Sequence, residues 1–207
     1  MIYQQLLDRY PIISDQIVRP ALGVVMRELE RVLEQAINGD VAEFGCYVGT
    51  TSVFIRRLLD AAGVSSNRRF WVYDSFVGLP DKASADSSRV GEQFQAGELA
   101  VSKRQFLETF HKAQLAPPTT VKAWFKDLTE QQLPPQLAYA FLDGDFYDSI
   151  LDSLKLVWPR LSKGGVITID DYQREALPGV TKAVSDFFGG VPAGLRYEHN
   201  IAIITKP

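Results

Sequence analysis

A single cysteine, Cys46, in 207 residues leaves no partner for a disulfide within the chain, which excludes a stapled secreted scaffold and fits a reducing cytoplasm. No apolar run approaches membrane-spanning length and no leader segment is read at the front, so a membrane is not expected as a partner. Cationic excess is missing too. With 22 Lys and Arg against 25 Asp and Glu, the net charge of -3 lacks the basic footprint of a nucleic-acid binder. Histidine is scarce, and neither copy reads as catalytic: His111 falls on the outer face of a helix and His199 at a turn. Internal repeats are also absent. These absences leave a small molecule as the expected ligand.

What is present is apolar content sufficient for a full core, 46% of the chain, in a length that suits one domain. The expected division is a helical N-terminal segment over residues 1–39 and a core over residues 40–207. One loosely patterned polar stretch, Asp81 to Gly97, reads as an inserted, mobile loop.

Two acidic clusters organise the rest. Leu142-Asp143-Gly144-Asp145-Phe146-Tyr147 closes the apolar run that begins at Leu137, and Ile169-Asp170-Asp171-Tyr172 closes the run from Gly165. Each reads as carboxylates at the end of a buried strand. Asp143 and Asp170 lie 27 residues apart with a helical pattern between them, the span of one strand-helix-strand crossover. Side-by-side parallel strands then bring Asp143, Asp145, Asp170 and Asp171 to one place. Carboxylates so close cannot all stay ionised unless a cation sits among them or some hold protons. An all-oxygen set suits magnesium, manganese or calcium. The plainer reading, Asp as helix cap or turn former, weakens when two such clusters recur at crossover spacing.

The second anchor is Val41-Ala42-Glu43-Phe44-Gly45-Cys46-Tyr47-Val48-Gly49-Thr50-Thr51-Ser52, a short strand, a glycine loop and a hydroxyl-rich helix start. Gly45 and Gly49 let backbone approach a ligand closely, with Tyr47 between them. Thr50 and Thr51 open a helix whose N-terminus favours a carboxylate. Glu43, an acid in an apolar strand, needs a donor that a ligand's ammonium or hydroxyl can supply. The next strand, Phe70 to Ser75, ends in Asp74, placed to accept from ribose hydroxyls. Gly-x-x-x-Gly is not the dinucleotide fingerprint, so a single nucleoside with a zwitterionic tail, such as S-adenosylmethionine, suits the set better than NAD. Trp124 and Phe125, at the end of a third strand read over Thr119 to Phe125, can flank a purine or simply pack in the core.

Between these anchors the pattern predicts a helix from Pro20 ended by Gly39, one through Val53 to Leu59, and one opened by the Ser102/Gln105 capping box. It also predicts a helix through Ile150 to Trp158, one opened by Pro178 and stopped by Gly189-Gly190, and a closing hairpin turning near His199-Asn200. Residues 1–19 show only weak periodicity.

With these motifs in view, the chain resembles class I S-adenosylmethionine-dependent methyltransferases and, within them, the macrocin O-methyltransferase (TylF-like) family. The likeness runs from about residue 20 onward, on Glu43 to Gly49, Asp74 to Pro80, Trp124 to Asp127, Leu142 to Ser149 and Asp170 to Tyr172. It implies an α/β Rossmann-like fold with a seven-stranded, mostly parallel sheet in the order 3-2-1-4-5-7-6, strand 7 antiparallel, and helices on both faces. It further implies magnesium on Asp143, Asp170 and Asp171, Asp145 as general base, and Glu43, Gly45, Asp74, Ser75, Trp124 and Phe125 as cofactor contacts. The implied reaction is metal-assisted methylation of a small-molecule hydroxyl, by a homodimer or larger homo-oligomer. Two rival readings stay open. Asp143-Gly144-Asp145 is also an Asp-x-Asp element of nucleotide-sugar glycosyltransferases, for which Lys126, Lys163 and Arg174 are the candidate phosphate binders. A non-catalytic S-adenosylmethionine-binding protein would keep the glycine loop without needing the acids.

Overall fold

The computed structural model describes residues 1–90 and 94–207; the expected loop over 81–97 is therefore described except for 91–93. Seven strands form one sheet: β1 (Asp40–Phe44), β2 (Phe70–Asp74), β3 (Thr119–Lys122), β4 (Leu137–Leu142), β5 (Leu161–Ile169), β6 (Arg196–Glu198) and β7 (Ile201–Thr205). Their order is β3-β2-β1-β4-β5-β7-β6, with β7 antiparallel to β5 and β6, as the family likeness implied. All six residues of β4 are buried, because a central parallel strand is covered on both faces. Its alternate side chains feed two cores. Tyr139 and Phe141 face the helices α1 (Ile2–Arg9), α2 (Arg19–Glu34) and α3 (Thr50–Ala61). Ala140 and Leu142 face α5 (Tyr147–Val157) and α6 (Pro178–Phe188); α4 (Lys103–Lys112) joins the first core through Phe106 and Phe110. Each large apolar side chain so enclosed contributes about 1.5–3 kcal/mol relative to exposure.

Three boundaries differ from the sequence pattern for identifiable reasons. The helix from Pro20 stops at Glu34 rather than running to Gly39, since Ala36 turns left-handed (φ 52°) to lead the chain into β1. β5 starts at Leu161, four residues before the apolar run, with a shift in its register against β4 between Leu137 and Tyr139. β3 ends at Lys122, so Trp124 and Phe125 lie beyond the strand tip rather than in it. A fourth difference is α1, which the weak periodicity did not predict. Its first two amides, Ile2 and Tyr3, are capped by the Glu30 carboxylate of α2 at 2.7 and 3.1 Å. The Ser102/Gln105 capping box and the hairpin at His199-Asn200 stand where the pattern put them. No helix among the described residues is long and apolar enough to cross a membrane.

Candidate active site

Residues at the carboxyl ends of β1, β2, β4 and β5 open into one cavity of about 460 Å³. The order reverses at β1, where β2 lies on one side and β4 on the other, the switch point at which open α/β sheets bind ligands. Register sets the acids side by side. Leu142 pairs with Ile169, so Asp143 and Asp170 leave adjacent strands at the same level. Asp170 N–H donates to the Leu142 carbonyl at 2.9 Å, and Asp143 N–H to the Phe44 carbonyl at 2.8 Å.

Carboxylate oxygens of Asp143, Asp145 and Asp171 lie within 4.8 Å of one another. Asp145 and Asp171 are both left-handed (φ 57° and 55°), a conformation that Asp tolerates better than most residues and that surrounding structure must hold. Asp170 is turned differently: its Oδ1 accepts from the Asp171 amide at 2.8 Å. Arg174 bonds to Asp171 Oδ1 at 2.6 Å. Burial is the first cause that raises all four carboxyls above the usual range, and repulsion from neighbouring acids adds to it at Asp143, Asp145 and Asp170. Asp170 is pushed up to about 7, Asp143 and Asp145 well above the ordinary value, and the Arg174 guanidinium opposes the rise at Asp171.

On the other side of the cavity stand Gly45, Tyr47, Asp74, Ser75, Trp124 and Phe125, six of the ten residues read as cofactor contacts. Asp74 is already engaged, accepting from the Cys46 amide at 2.8 Å and the Phe76 amide at 2.7 Å, which fixes its carboxylate at the mouth of the glycine loop. Ser75 Oγ donates to the Gly78 carbonyl at 3.0 Å. Phe125 packs edge-on against Phe44 at 5.4 Å, so it serves the core and the cavity at once. Glu43, Gly49, Thr50 and Thr51 do not reach the wall. Glu43 lies behind it, 1% exposed, accepting from the Ser52 hydroxyl, and burial pushes its carboxyl up to about 8. Thr50 Oγ1, at the start of α3, is buried with no hydrogen-bond partner among the described residues.

Sequence reasoning missed several wall residues. Phe94 arrives from the stretch read as an inserted loop, Leu79, Pro80 and Leu99 from its flanks, and Gln16 from the segment before α2. Phe94 and Leu99 are left-handed at φ 61° and 57°, which no composition signal announces. Of the three candidate phosphate binders, Lys126 and Arg174 line the cavity while Lys163 sits at the opposite end of β5.

Gly45 is fixed by close approach as well as by conformation. Its φ is 88°, and a Cβ there would stand 1.8 Å from the Asp143 carbonyl oxygen. Gly45→Ala is expected to cost about 3 kcal/mol through strain and overpacking. An unchanged thermal midpoint for that variant would show that the β1 and β4 tips are not in the contact described.

Comparison with known proteins agrees with this geometry. A family model described as Macrocin-O-methyltransferase (TylF) matches residues 12–191. The chain is 38% identical over 167 residues to the 8-demethyl-8-(2,3-dimethoxy-alpha-L-rhamnosyl)-tetracenomycin-C 4'-O-methyltransferase of Streptomyces olivaceus, covering 78% of this chain and 62% of that protein. It is 31% identical over 186 residues to the mycinamicin III 3''-O-methyltransferase of Micromonospora griseorubida, covering 86% of this chain and 72% of that one. Among solved structures, the O-methyltransferase NovP superposes with a TM-score of 0.75 at 27% identity, over 89% of this chain and 78% of that chain. The chain thus spans less than two thirds of the length of the first of these relatives.

Proposed function

Since the chain belongs to the macrocin O-methyltransferase (TylF) family, we propose that it methylates a sugar or other natural-product hydroxyl from S-adenosylmethionine, assisted by a divalent cation. The observation that carries the reading is the meeting of the β1 glycine loop and the paired acidic tips of β4 and β5 in one cavity. The names of the relatives, both O-methyltransferases and one of them acting on a rhamnosyl-bearing compound, support the acceptor class.

The residues present fit both groups. For the cofactor, the fit rests on Asp74 at the loop mouth and on Gly45, Tyr47, Trp124 and Phe125 in the wall, with the α3 N-terminus behind the loop. For the cation, it rests on a set of oxygens with no soft ligand. When bound, S-adenosylmethionine supplies a methyl group on a sulfonium, and a divalent cation lowers the pKa of a hydroxyl that touches it.

Gly45, Tyr47 and the amides around them hold the amino-acid end, Asp74 and Ser75 the ribose, and Trp124 with Phe125 the purine. Gly49, Thr50 and Thr51 act from behind through the helix start they form. Asp143, Asp145 and Asp171 would offer oxygens for the cation, and Asp170, also read as a ligand, lines the same cavity with its Oδ1 accepting from the Asp171 amide. Asp145 is also the residue that would take the acceptor's proton, since it lines the cavity beside Asp143 and Asp171. The two roles separate experimentally: an Asp145→Asn variant that keeps Mn2+ affinity but loses turnover marks the base, and one that loses both marks the ligand. Leu79, Pro80, Phe94 and Leu99 enclose the acceptor side, and much of the rate comes from aligning two bound reactants away from water.

Calorimetry with S-adenosylhomocysteine, UDP and NAD, each with and without Mg2+, tests the reading. S-adenosylhomocysteine alone is expected to bind without the metal. Tight binding of UDP that depends on Mg2+ would instead support the glycosyltransferase alternative, and sink this one.

A further inference from the structure

We propose that Asp86 is a positioning residue for the acid cluster: from residues 84–90, and together with Phe94, it braces the two loops that carry Asp145 and Asp171. The stretch holds the short 3-10 turn Ser84–Asp86 and was expected from sequence to be an inserted, mobile loop. Asp86 is nevertheless 1% exposed. A buried carboxylate in a surface connection is unfavourable unless donors hold it. Its Oδ2 accepts from the amide of Ala83 at 2.9 Å, a local bond. Its Oδ1 accepts at 2.8 Å from the amide of Tyr147, 61 residues away, the first residue of α5 and two past Asp145. Asp86 therefore caps α5 from another part of the chain, at the end where a negative charge is favoured. Lys82 and Asp148 are the charged side chains that face it.

The second residue of α6 closes the other side. A Cβ at Gly179 would stand 1.7 Å from Asp86 Oδ1 and 2.9 Å from the Tyr147 nitrogen, so the carboxylate is wedged where the starts of α5 and α6 converge. Two further contacts tie the same stretch to the loop after β5. Ser88 Oγ donates to the Glu175 carbonyl at 2.7 Å. The Arg174 guanidinium lies 5.4 Å from the Phe94 ring while bonding to Asp171 at 2.6 Å. Asp145 and Asp171 are the two left-handed members of the cluster, and such backbone persists only where the surroundings over-determine it. Asp86 touches the loop of the first, and Ser88 and Phe94 touch that of the second. If Asp86 served only its own turn, the Ala83 amide would suffice.

The inference rests on the proposed reading that the cluster holds a cation, and the test separates the two. Mn2+ affinity is measured on the purified chain from the electron paramagnetic resonance signal of the free ion, for wild type, Asp86→Ala, Asp86→Asn and Gly179→Ala. S-adenosylhomocysteine calorimetry on each variant checks that the half of the site built on β1 and β2 is intact. Asp86→Ala and Gly179→Ala are expected to bind Mn2+ about tenfold more weakly, as when an outer partner of a metal ligand is lost. Asp86→Asn, which keeps an acceptor oxygen, should recover part of that loss. Gly179→Ala matters because alanine favours the helix it joins, so its loss cannot be charged to a weaker α6. Unchanged Mn2+ affinity in both Asp86→Ala and Gly179→Ala would overturn the inference. If the wild-type chain takes up no Mn2+, the cation falls from the proposed function and amide hydrogen exchange decides the brace. Faster exchange in Asp86→Ala at both 143–149 and 171–176 upholds it, and faster exchange confined to 83–90 overturns it.

Discussion

Asp143→Asn should lower turnover by about a thousandfold while leaving the fold and the affinity for S-adenosylhomocysteine in place. The substitution keeps shape and removes one charge from a set whose oxygens lie within 4.8 Å of each other. The Asp143 bond to the Phe44 carbonyl is made by the main chain, so the strand tip keeps its place. Losing a charge from a crowded acidic cluster relieves repulsion, so the variant should unfold at the same temperature as wild type or a higher one. Mn2+ affinity should drop with turnover. Exhaustive chelation of wild type should reach the same floor, and chelation of the variant should take away little more, because both remove one unit. Turnover of the wild type that ignores chelation would remove the cation from the mechanism.

Glu43→Gln should flatten the pH dependence of stability and weaken cofactor binding at once. Burial pushes the Glu43 carboxyl up to about 8, against the Ser52 hydroxyl bond that pulls it down, with Asp74 adding repulsion. A carboxyl raised on folding keeps its proton in the native chain after the unfolded chain has released its own. Its stabilising contribution is therefore complete below the ordinary value near 4.5 and is lost as pH rises toward about 8. Each unit of that window corresponds to about 1.4 kcal/mol, so the ligand-free wild type should lose a few kcal/mol between its ends from this group. Glutamine carries no charge at any pH and should leave the variant the more stable chain at pH 8. The same change alters the bond to the Ser52 hydroxyl directly behind the glycine loop, so affinity for S-adenosylhomocysteine should fall. Thermal midpoints from pH 5 to 8.5, set beside calorimetry, check both halves. Parallel midpoint curves for the two chains would show that Glu43 ionises at its ordinary pH.

The parts of the site legible from sequence were those written in local pattern. Asp143 and Asp170 each follow a buried strand, and crossover spacing placed those strands as neighbours. Gly45, Asp74 and Ser75 were legible because a strand, a glycine loop and a helix start must adjoin in sequence to act together. Asp170 shows where this stops. Spacing brings it beside Asp143, but only the backbone turn of that loop gives its Oδ1 to the Asp171 amide, while oxygens of Asp143, Asp145 and Asp171 gather within 4.8 Å of one another.

The core and the meeting of two acidic tips were determined by the sequence itself, through hydrophobic period, crossover length and handedness, and the strand order was implied by the family likeness. The tertiary structure alone decided what long-range contacts fix. It capped α1 with Glu30 and α5 with Asp86, and it laid Phe94 and Leu99 along the cavity on left-handed backbone. Such features depend on a partner 28 or 61 residues away, and a polar residue in a loop carries no local mark of the amide it will meet.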